Sequence, residues 1–249
     1  MELALAAFFF APGLALGSFL NVLAARVPLR RSVVSPPSAC MSCGERIRPR
    51  DNVPLLSYAL LRGRCRHCGV HIPLRYPAVE LVTAVLVAAS VLAFGLTADA
   101  AVAAFFCAVL VAVAATDLEH GIVPNRIVVP ATVVALAAQT ALHPSPEWAL
   151  GALGGAGFLF VAVLAYPKGM GMGDVKLALF MGAVLGRYVG VGLMIGMLAA
   201  LVPGVVLFAR HGRSARKMSV PFAPFLALGS LVALFAGGPI LAAYLGLLS

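Results

Sequence analysis

Residues 147–187, EWALGALGGAGFLFVAVLAYPKGMGMGDVKLALFMGAVLGR, decide the fold class of this chain. Two apolar runs, 147–166 and 174–187, flank a short break that holds one lysine, three glycines and the start of the second run at Asp174. An apolar run near ~20 residues matches the hydrocarbon core of a bilayer. A carboxylate at the edge of hydrocarbon is costly unless it is paired, protonated or in contact with water. The stretch therefore predicts two membrane spans and an Asp174 that needs a partner.

The composition of the whole chain is typical of a polytopic helical membrane protein. The 249 residues are 62% hydrophobic and 11% charged, and the mean hydropathy is +1.02. A soluble domain of this length does not have such a composition, and continuous apolar runs differ from the short alternating segments of a transmembrane β-barrel. We therefore predict an all-α membrane protein with about eight transmembrane helices. The apolar runs fall at about 2–24, 77–96, 99–116, 127–142, 147–166, 174–187, 189–209 and 222–246.

Two of these runs, 174–187 and 189–209, are the weakest prediction. Together they are too long for one span, and Gly186-Arg187-Tyr188 is a plausible turn between them. The first run of the pair is short, so seven spans are the alternative.

The basic residues predict the orientation. The first apolar run lacks the positive n-region of a signal peptide, so we expect a retained first helix with its N-terminus outside. With eight spans, one side of the membrane receives 17 of the 18 Lys and Arg, and only Arg187 falls opposite. The positive-inside rule makes the basic side cytoplasmic. The net charge of +9 is then explained by topology in the bilayer, and no nucleic-acid partner is expected. The cytoplasmic residues are the ten arginines of the loop 25–76 together with Arg126, Lys168, Lys176, Arg210, Arg213, Arg216 and Lys217.

The first cytoplasmic loop carries two C-x-x-C motifs. Cys40 and Cys43 form one and Cys65 and Cys68 the other, and a glycine follows each pair and permits a tight turn. Four thiolates at this spacing predict a closed tetrahedral site for one structural zinc per chain. Disulfides are disfavoured in the cytoplasm, and a redox C-x-x-C does not need a second copy. The fifth cysteine, Cys107, lies in a span and is expected to pack there.

Asp117 and Asp174 are predicted to lie on one face of the membrane domain. Asp117 ends the third span, Asp174 opens the sixth, and two complete spans separate them. Two close carboxyl groups cannot easily both ionise, so they can share one proton. The charged group then takes a proton from water and the protonated group polarises a peptide carbonyl, which is aspartic proteolysis. Gly171 and Gly173 would let the backbone approach a substrate strand.

A structural interpretation of both aspartates stays open. Asp174 is favoured in the first turn of a helix by capping and by the helix dipole, and Asp117 fits the end of a helix at the interface. A proton-relaying transporter is a further alternative, but the chain shows no internal repeat of the kind that transporters use.

The chain resembles a known family in nearly its whole length. GSFLNVLAARVP (17–28), LRGRCRHCG (61–69), RYPAVELVTA (75–84), TDLEHGIVPN (116–125) and GMGDVKL (171–177) are similar, in order, to the motifs of the type IV prepilin peptidases. PFAPFLALG (221–229) resembles the closing motif, with Ala223 where the family usually has glycine. The tetracysteine loop together with Gly-x-Gly-Asp is a highly specific combination.

The resemblance implies a bifunctional enzyme of the bacterial inner membrane that serves type IV pili or type II secretion. It implies catalytic roles for Asp117 and Asp174. Gly171, Gly173 and Lys176 lie beside the second aspartate as supporting residues, and for Lys176 a lysine that only extends to the interface is the alternative. The substrates would be prepilins or pseudopilins with a short basic leader, cleaved after Gly at the cytoplasmic face. It also implies N-methylation of the new α-amine with S-adenosylmethionine as donor. A peptidase without methyltransferase activity is the alternative.

The binding site for the methyl donor is the part of the function that the sequence indicates least clearly. No Gly-rich strand-turn-helix of the Rossmann kind is present, so we expect a site in the cytoplasmic loop and its flanking helices. Glu80, about one turn into a span, is the first candidate, and a salt bridge to Arg26 or Arg75 is the alternative. Asn21, with Ser18, lines the same site or joins helices as polar contacts. The predicted regions are the first transmembrane helix (1–24), the methyltransferase-associated zinc loop (25–76) and the helical domain with the peptidase site (77–249).

Overall fold

The structure is a computed structural model that describes residues 2–167, 170–212 and 220–247. Four of the basic residues assigned to the cytoplasmic side, Lys168, Arg213, Arg216 and Lys217, lie outside these described residues. The described residues contain nine α-helices and two 3₁₀ turns, Pro49–Asp51 and Gly186–Tyr188. The helices are α1 (Glu2–Arg26), α2 (Leu56–Leu60), α3 (Arg75–Phe94), α4 (Ala98–His120), α5 (Asn125–Leu142), α6 (Glu147–Ala165), α7 (Met172–Leu185), α8 (Val189–His211) and α9 (Ala223–Gly246).

The all-α prediction is confirmed, and each predicted span matches a long helix to within a few residues. Seven segments are long and apolar enough to cross a membrane, and one of them, Met172–Arg210, has 39 residues. At 1.5 Å per residue, 39 helical residues would be about 58 Å long, almost twice the hydrocarbon thickness. The predicted turn at Gly186 divides this segment into α7 and α8, because Gly186 takes a φ of 53° and the next residues form a 3₁₀ turn.

The chain contacts divide the molecule into two compact units, Met1–Ala115 and Thr116–Ser249. The predicted regional boundaries at residues 24 and 76 remain predictions. In the first unit, α1 and α3 pack antiparallel through glycines four residues apart. A Cβ at Gly13 would lie 2.7 Å from Ala84 Cα, and one at Gly17 would lie 2.6 Å from Glu80 Cα. Small residues at this spacing let membrane helices approach closely.

Glycines also join the helices of the second unit. Gly151 on α6 meets Gly182 and Gly186 at the end of α7, so these two helices run antiparallel. Gly192 on α8 meets Gly229 on α9 in the same manner.

The contacts of α8 and α9 show that the chain changes direction between α7 and α8. Gly196, farther along α8, meets Leu226, which is closer to the start of α9, so α8 and α9 are antiparallel. The starts of α7 and α9 lie at one end of the unit, since each carries a group that interacts with Asp117. Helix α8 therefore runs opposite to α7, and the unit has the alternating directions that eight spans require.

Candidate functional site

Asp117 lies in the last turn of α4. The helix continues to His120 and ends at Gly121, whose φ is 64° and whose N–H donates to the Asp117 carbonyl at 2.8 Å. A left-handed glycine is a common helix end. The predicted position of Asp117 at the end of this span is thus confirmed, and the helix extends three residues beyond it.

Asp174 occupies the third position of α7. The Gly171 N–H donates to Asp174 Oδ2 at 3.3 Å, and the Asp174 N–H donates to the Gly171 carbonyl at 3.1 Å. The carboxylate thus satisfies an N–H group that would otherwise lack a partner at the helix start. This is the first-turn contact that the structural interpretation predicted.

The two aspartates meet in the second unit. They are 7% and 9% exposed, and their carboxyl groups are close enough to interact electrostatically. Their burial removes much of the water that would screen this interaction. This interaction is consistent with the topology, which placed both aspartates on one face, and the shared proton stays a prediction.

Helix α9 supplies a third component that the sequence analysis did not assign. The backbone N–H of Ala223, the first residue of α9, donates to Asp117 Oδ2 at 3.0 Å. The N–H groups at a helix start lack intrahelical partners and favour a carboxylate. The motif around Ala223 was recognised only by resemblance. A signal for a helix start was present in Pro224, because proline is common in the first turn.

The two glycines before Asp174 have different surroundings. A Cβ at Gly173 would lie 2.9 Å from Val123 Cβ, so the start of α7 packs directly on the segment after α4. A Cβ at Gly171 would meet only ordinary contacts, the nearest being Gly173 N at 3.8 Å and Asp174 Oδ2 at 3.9 Å. Gly173 is thus required by packing, whereas a side-chain Cβ at Gly171 would fit at ordinary contact distance beside the carboxylate.

Lys176 links α7 to α5 near the aspartates. Its Nζ donates to Asn125 Oδ1 at 3.0 Å. Asn125 is the first residue of α5, so the contact ties the starts of two helices together. The contact is exposed and fits both an orienting role and an interfacial lysine whose head group reaches water, so the supporting role stays a prediction.

The four loop cysteines converge in the first unit. Their Sγ atoms all lie within 4.8 Å of one another, and Cys40 Sγ and Cys68 Sγ are 3.8 Å apart. A regular tetrahedron with metal–sulfur bonds of ~2.3 Å has edges of about 3.8 Å. The cluster therefore has the size that a four-thiolate metal site requires.

Two similar turns build this cluster. Cys40 N–H donates to the Glu45 carbonyl and Cys65 N–H to the Val70 carbonyl, each at 2.9 Å. Gly44 and Gly69 take φ values of 72° and 71°, as the tight turn demands. The short spacing within each motif thus produces the same local geometry twice.

Hydrogen bonds and one ion pair act within this loop. Backbone N–H groups of Cys43 and Ser42 lower the pKa of Cys40 to about 6, whereas burial and the thiols of Cys40 and Cys68 raise the pKa of Cys43 to about 11. Only the first shift favours the thiolate form that binds metals. Asp51 and Arg66 form a bidentate ion pair with N–O distances of 2.7 to 3.0 Å, and the Arg66 hydrogen bonds lower the pKa of Asp51. This pair ties the 3₁₀ turn Pro49–Asp51 to the second cysteine motif.

The candidate donor-site residues lie together along the α1–α3 contact. Glu80 Oε2 accepts from the Leu55 N–H at 2.9 Å, and its carboxylate also accepts a hydrogen bond from Ser18. Asn21 Nδ2 donates to the Tyr76 carbonyl at 3.0 Å. The arrangement gives Glu80 a backbone partner that neither sequence interpretation named, and it gives Asn21 the helix-joining contact of the structural alternative.

Comparisons with known proteins show which family the sequence matches. Residues 12–94 match the Bacterial Peptidase A24 N-terminal domain, and residues 104–209 match the Type IV leader peptidase family. A relative from Bacillus subtilis, named prepilin leader peptidase/N-methyltransferase, is 38% identical over 94% of this chain and 95% of its own.

Relatives with the same name occur in other bacteria. One from Burkholderia pseudomallei is 34% identical over 94% of this chain and 86% of its own, and one from Pseudomonas aeruginosa is 33% identical over 94% and 91%. No solved structure matches the chain significantly. Identity of this degree over almost the full length of both chains shows that the chain belongs to the type IV leader peptidase family.

Proposed function

We propose that this chain cleaves the basic leader from type IV prepilins or pseudopilins after Gly and then N-methylates the new N-terminal residue. The observation that carries the proposal is the buried pair of interacting carboxyl groups, Asp117 and Asp174, in a chain of this family. The names of its relatives join the same two activities.

The peptidase chemistry needs one proton shared by the two aspartates. The charged carboxylate removes a proton from a water molecule, which attacks the scissile carbonyl carbon, while the protonated carboxyl donates a hydrogen bond to the carbonyl oxygen. The C–N bond of the tetrahedral carbon then breaks, and the leaving amine takes the proton that the aspartate removed from water. In this scheme the Ala223 N–H holds Asp117, and the Gly171 N–H holds Asp174.

The cut belongs at the cytoplasmic face of the bacterial inner membrane in this proposal. The distribution of Lys and Arg supports a cytoplasmic position for the aspartates and an outside position for the N-terminus. The substrate's hydrophobic helix would then remain in the bilayer while its basic leader lies in the cytoplasm.

Methylation follows cleavage because it needs a free α-amine. S-adenosylmethionine would supply the methyl group as it does for N-methyltransferases generally. Glu80 and Asn21 are the candidate residues, and both lie in the first unit beside the tetracysteine loop. A half-buried carboxylate fits a cationic group, either the donor or the protonated amine of the substrate.

A structural zinc is the proposed occupant of the tetracysteine cluster. Four cysteine ligands without an open position are typical of structural rather than catalytic zinc. Cys40, Cys43, Cys65 and Cys68 would hold the loop in one conformation, and no step of either reaction requires the ion.

Asp117→Asn and Asp174→Asn test the proposal. Each purified variant, incubated with a prepilin, should leave the leader attached, because neither can complete the shared-proton pair. Each should keep the wild-type melting temperature within a few degrees and should still methylate a pre-cleaved pilin peptide. Substantial leader cleavage by either variant would remove that residue from the mechanism.

A further inference from the structure

The short helix α2 presents an apolar face that is exposed among the described residues. Leu56 and Leu60 lie one turn apart on this face and are 56% and 72% exposed. Ser57 is buried, accepts the Val53 N–H at 3.0 Å and donates to the Arg50 carbonyl at 2.9 Å. The polar side of α2 is thus turned into the loop and its leucines are turned away from it.

Helix α2 is held at the depth of the membrane boundary. The Leu55 N–H, at the start of α2, donates to Glu80 Oε2 at 2.9 Å. Glu80 is five residues into α3, which is about 7.5 Å along the helix axis. The 20 residues of α3 are about 30 Å long, which equals the hydrocarbon thickness of a bilayer. With α3 spanning the hydrocarbon, the start of α2 lies within about 7.5 Å of the level where lipid hydrocarbon begins.

The backbone N–H group at the start of α2 has a hydrogen-bond partner, as backbone near the hydrocarbon requires. Non-helical backbone near hydrocarbon must have its polar groups satisfied within the protein. Leu55 has a φ of 57°, a left-handed conformation that leucine rarely adopts, and its N–H is satisfied by Glu80. An unfavourable conformation persists where surrounding contacts fix it. The Glu80 contact thus fixes the position of α2 relative to α3.

The loop around α2 is strongly basic. Residues 25–74 contain nine arginines but only two acidic residues, Glu45 and Asp51, and Asp51 is already paired with Arg66. Arg62 and Arg64 follow α2 directly and are exposed. Basic residues beside a cytoplasmic membrane boundary attract anionic lipid headgroups. They would repel a basic substrate leader, so charge favours lipid over leader as the partner of this surface.

We propose that α2 is an interfacial anchor for the tetracysteine loop. Leu56 and Leu60 insert among the acyl chains of the cytoplasmic leaflet, and Arg62 and Arg64 contact the phosphates of anionic phospholipids. Apolar side chains flanked by arginines are typical of segments that lie in the membrane interface. The anchor holds the loop against the membrane beside Glu80.

Tryptophan fluorescence tests this proposal on the full-length protein. Trp148 is the single tryptophan, so Trp148→Phe provides a background without indole emission. Leu60→Trp is introduced into that background, and Val85→Trp, at an exposed position in the middle of α3, serves as the lipid-facing reference. Each variant is reconstituted in bilayers of phosphatidylcholine with and without phosphatidylglycerol, and melting curves verify folding.

Acyl-brominated lipid should quench Leu60→Trp by at least half as much as Val85→Trp, and aqueous iodide should quench it weakly. Arg62→Gln with Arg64→Gln should lower the bromolipid quenching in bilayers that contain phosphatidylglycerol and not in pure phosphatidylcholine. Strong iodide quenching without bromolipid quenching would place α2 in water and overturn the proposal. Weak quenching by both agents would mean that protein covers α2, which would overturn it equally. An unchanged response of the arginine variant would overturn the headgroup contact.

Discussion

Gly173→Ala should disturb the aspartate pair without touching either carboxyl group. The new Cβ would lie 2.9 Å from Val123 Cβ and 3.3 Å from Val123 Cγ2. Two carbon atoms prefer a separation of about 3.5–4.0 Å, so α7 and the segment after α4 must separate by roughly 0.6–1 Å. Neither Cβ can rotate away, because each is fixed to its backbone.

The magnitude of the effect follows from this displacement. Adding one methyl group to a packed contact costs about 1–3 kcal/mol in stability. Val123 is six residues after Asp117, and Gly173 precedes Asp174 directly, so the displacement separates the two carboxyl groups. A misplacement of about 1 Å at reacting groups can lower a rate by about 100-fold. We expect kcat for leader cleavage to fall by about 10–100-fold, with KM near the wild-type value.

Gly171→Ala is the matched control, because its Cβ would make only ordinary contacts. It should melt like wild type, and any rise in its KM would indicate that substrate approaches Gly171. Val123→Gly should rescue Gly173→Ala because it removes the opposing Cβ, whereas Val123→Ala keeps that atom and should not. Melting temperature and prepilin cleavage by gel mobility check each variant. Equal behaviour of the two alanine variants, or equal rescue by both Val123 substitutions, would refute the packing argument.

Three further predictions concern the other components of the site. Ala223→Pro removes the N–H that holds Asp117, at a position where helices accept proline. Because a hydrogen bond to a charged group contributes about 1.5–3 kcal/mol, kcat for leader cleavage should fall about 10–150-fold. Ala223→Gly keeps the N–H, and its kcat should stay near the wild-type value. Elemental analysis should find about one zinc per chain and less in Cys40→Ser, and zinc-free protein purified without chelator would contradict the site. Glu80→Gln should cleave prepilin but fail to transfer labelled methyl, and wild-type methylation by this variant would leave Glu80 as a partner of Leu55 alone.

The sequence predicts the helices well because bilayer thickness fixes their lengths. Every apolar run reappears as a helix, and the turn at Gly186–Tyr188 lies where it was expected. The structure adds a reason for that turn: the Arg187 N–H and side chain donate to Glu147 Oε1 at 3.1 and 3.0 Å, which ties the turn to the start of α6. The sequence shows that Glu147 and Arg187 carry opposite charges 40 residues apart, but it does not show that the two side chains form an ion pair.

The site was predicted where side chains carry the chemistry and missed where the backbone does. The aspartates and the cysteines have residue types and spacings that indicate their roles. The N–H donors of Ala223 and Leu55 have no side-chain signature, since every residue except proline offers the same group. The sequence likewise treats Gly171 and Gly173 alike, although only the second is packed against Val123.

Glycine packing explains how an aspartate pair stays fixed within a membrane domain. Lipid offers no hydrophobic force that would press helices together, so close van der Waals contact between small residues must do so. Gly182 on α7 contacts Gly151, and Gly229 on α9 contacts Gly192. These contacts lie about 12 Å along α7 from Asp174 and about 9 Å along α9 from Ala223. A helix is rigid along its axis, so these glycine contacts also fix the position of the helix start. The backbones that carry the Asp174 carboxyl and the Ala223 N–H are therefore held in place by glycines that take no part in the chemistry.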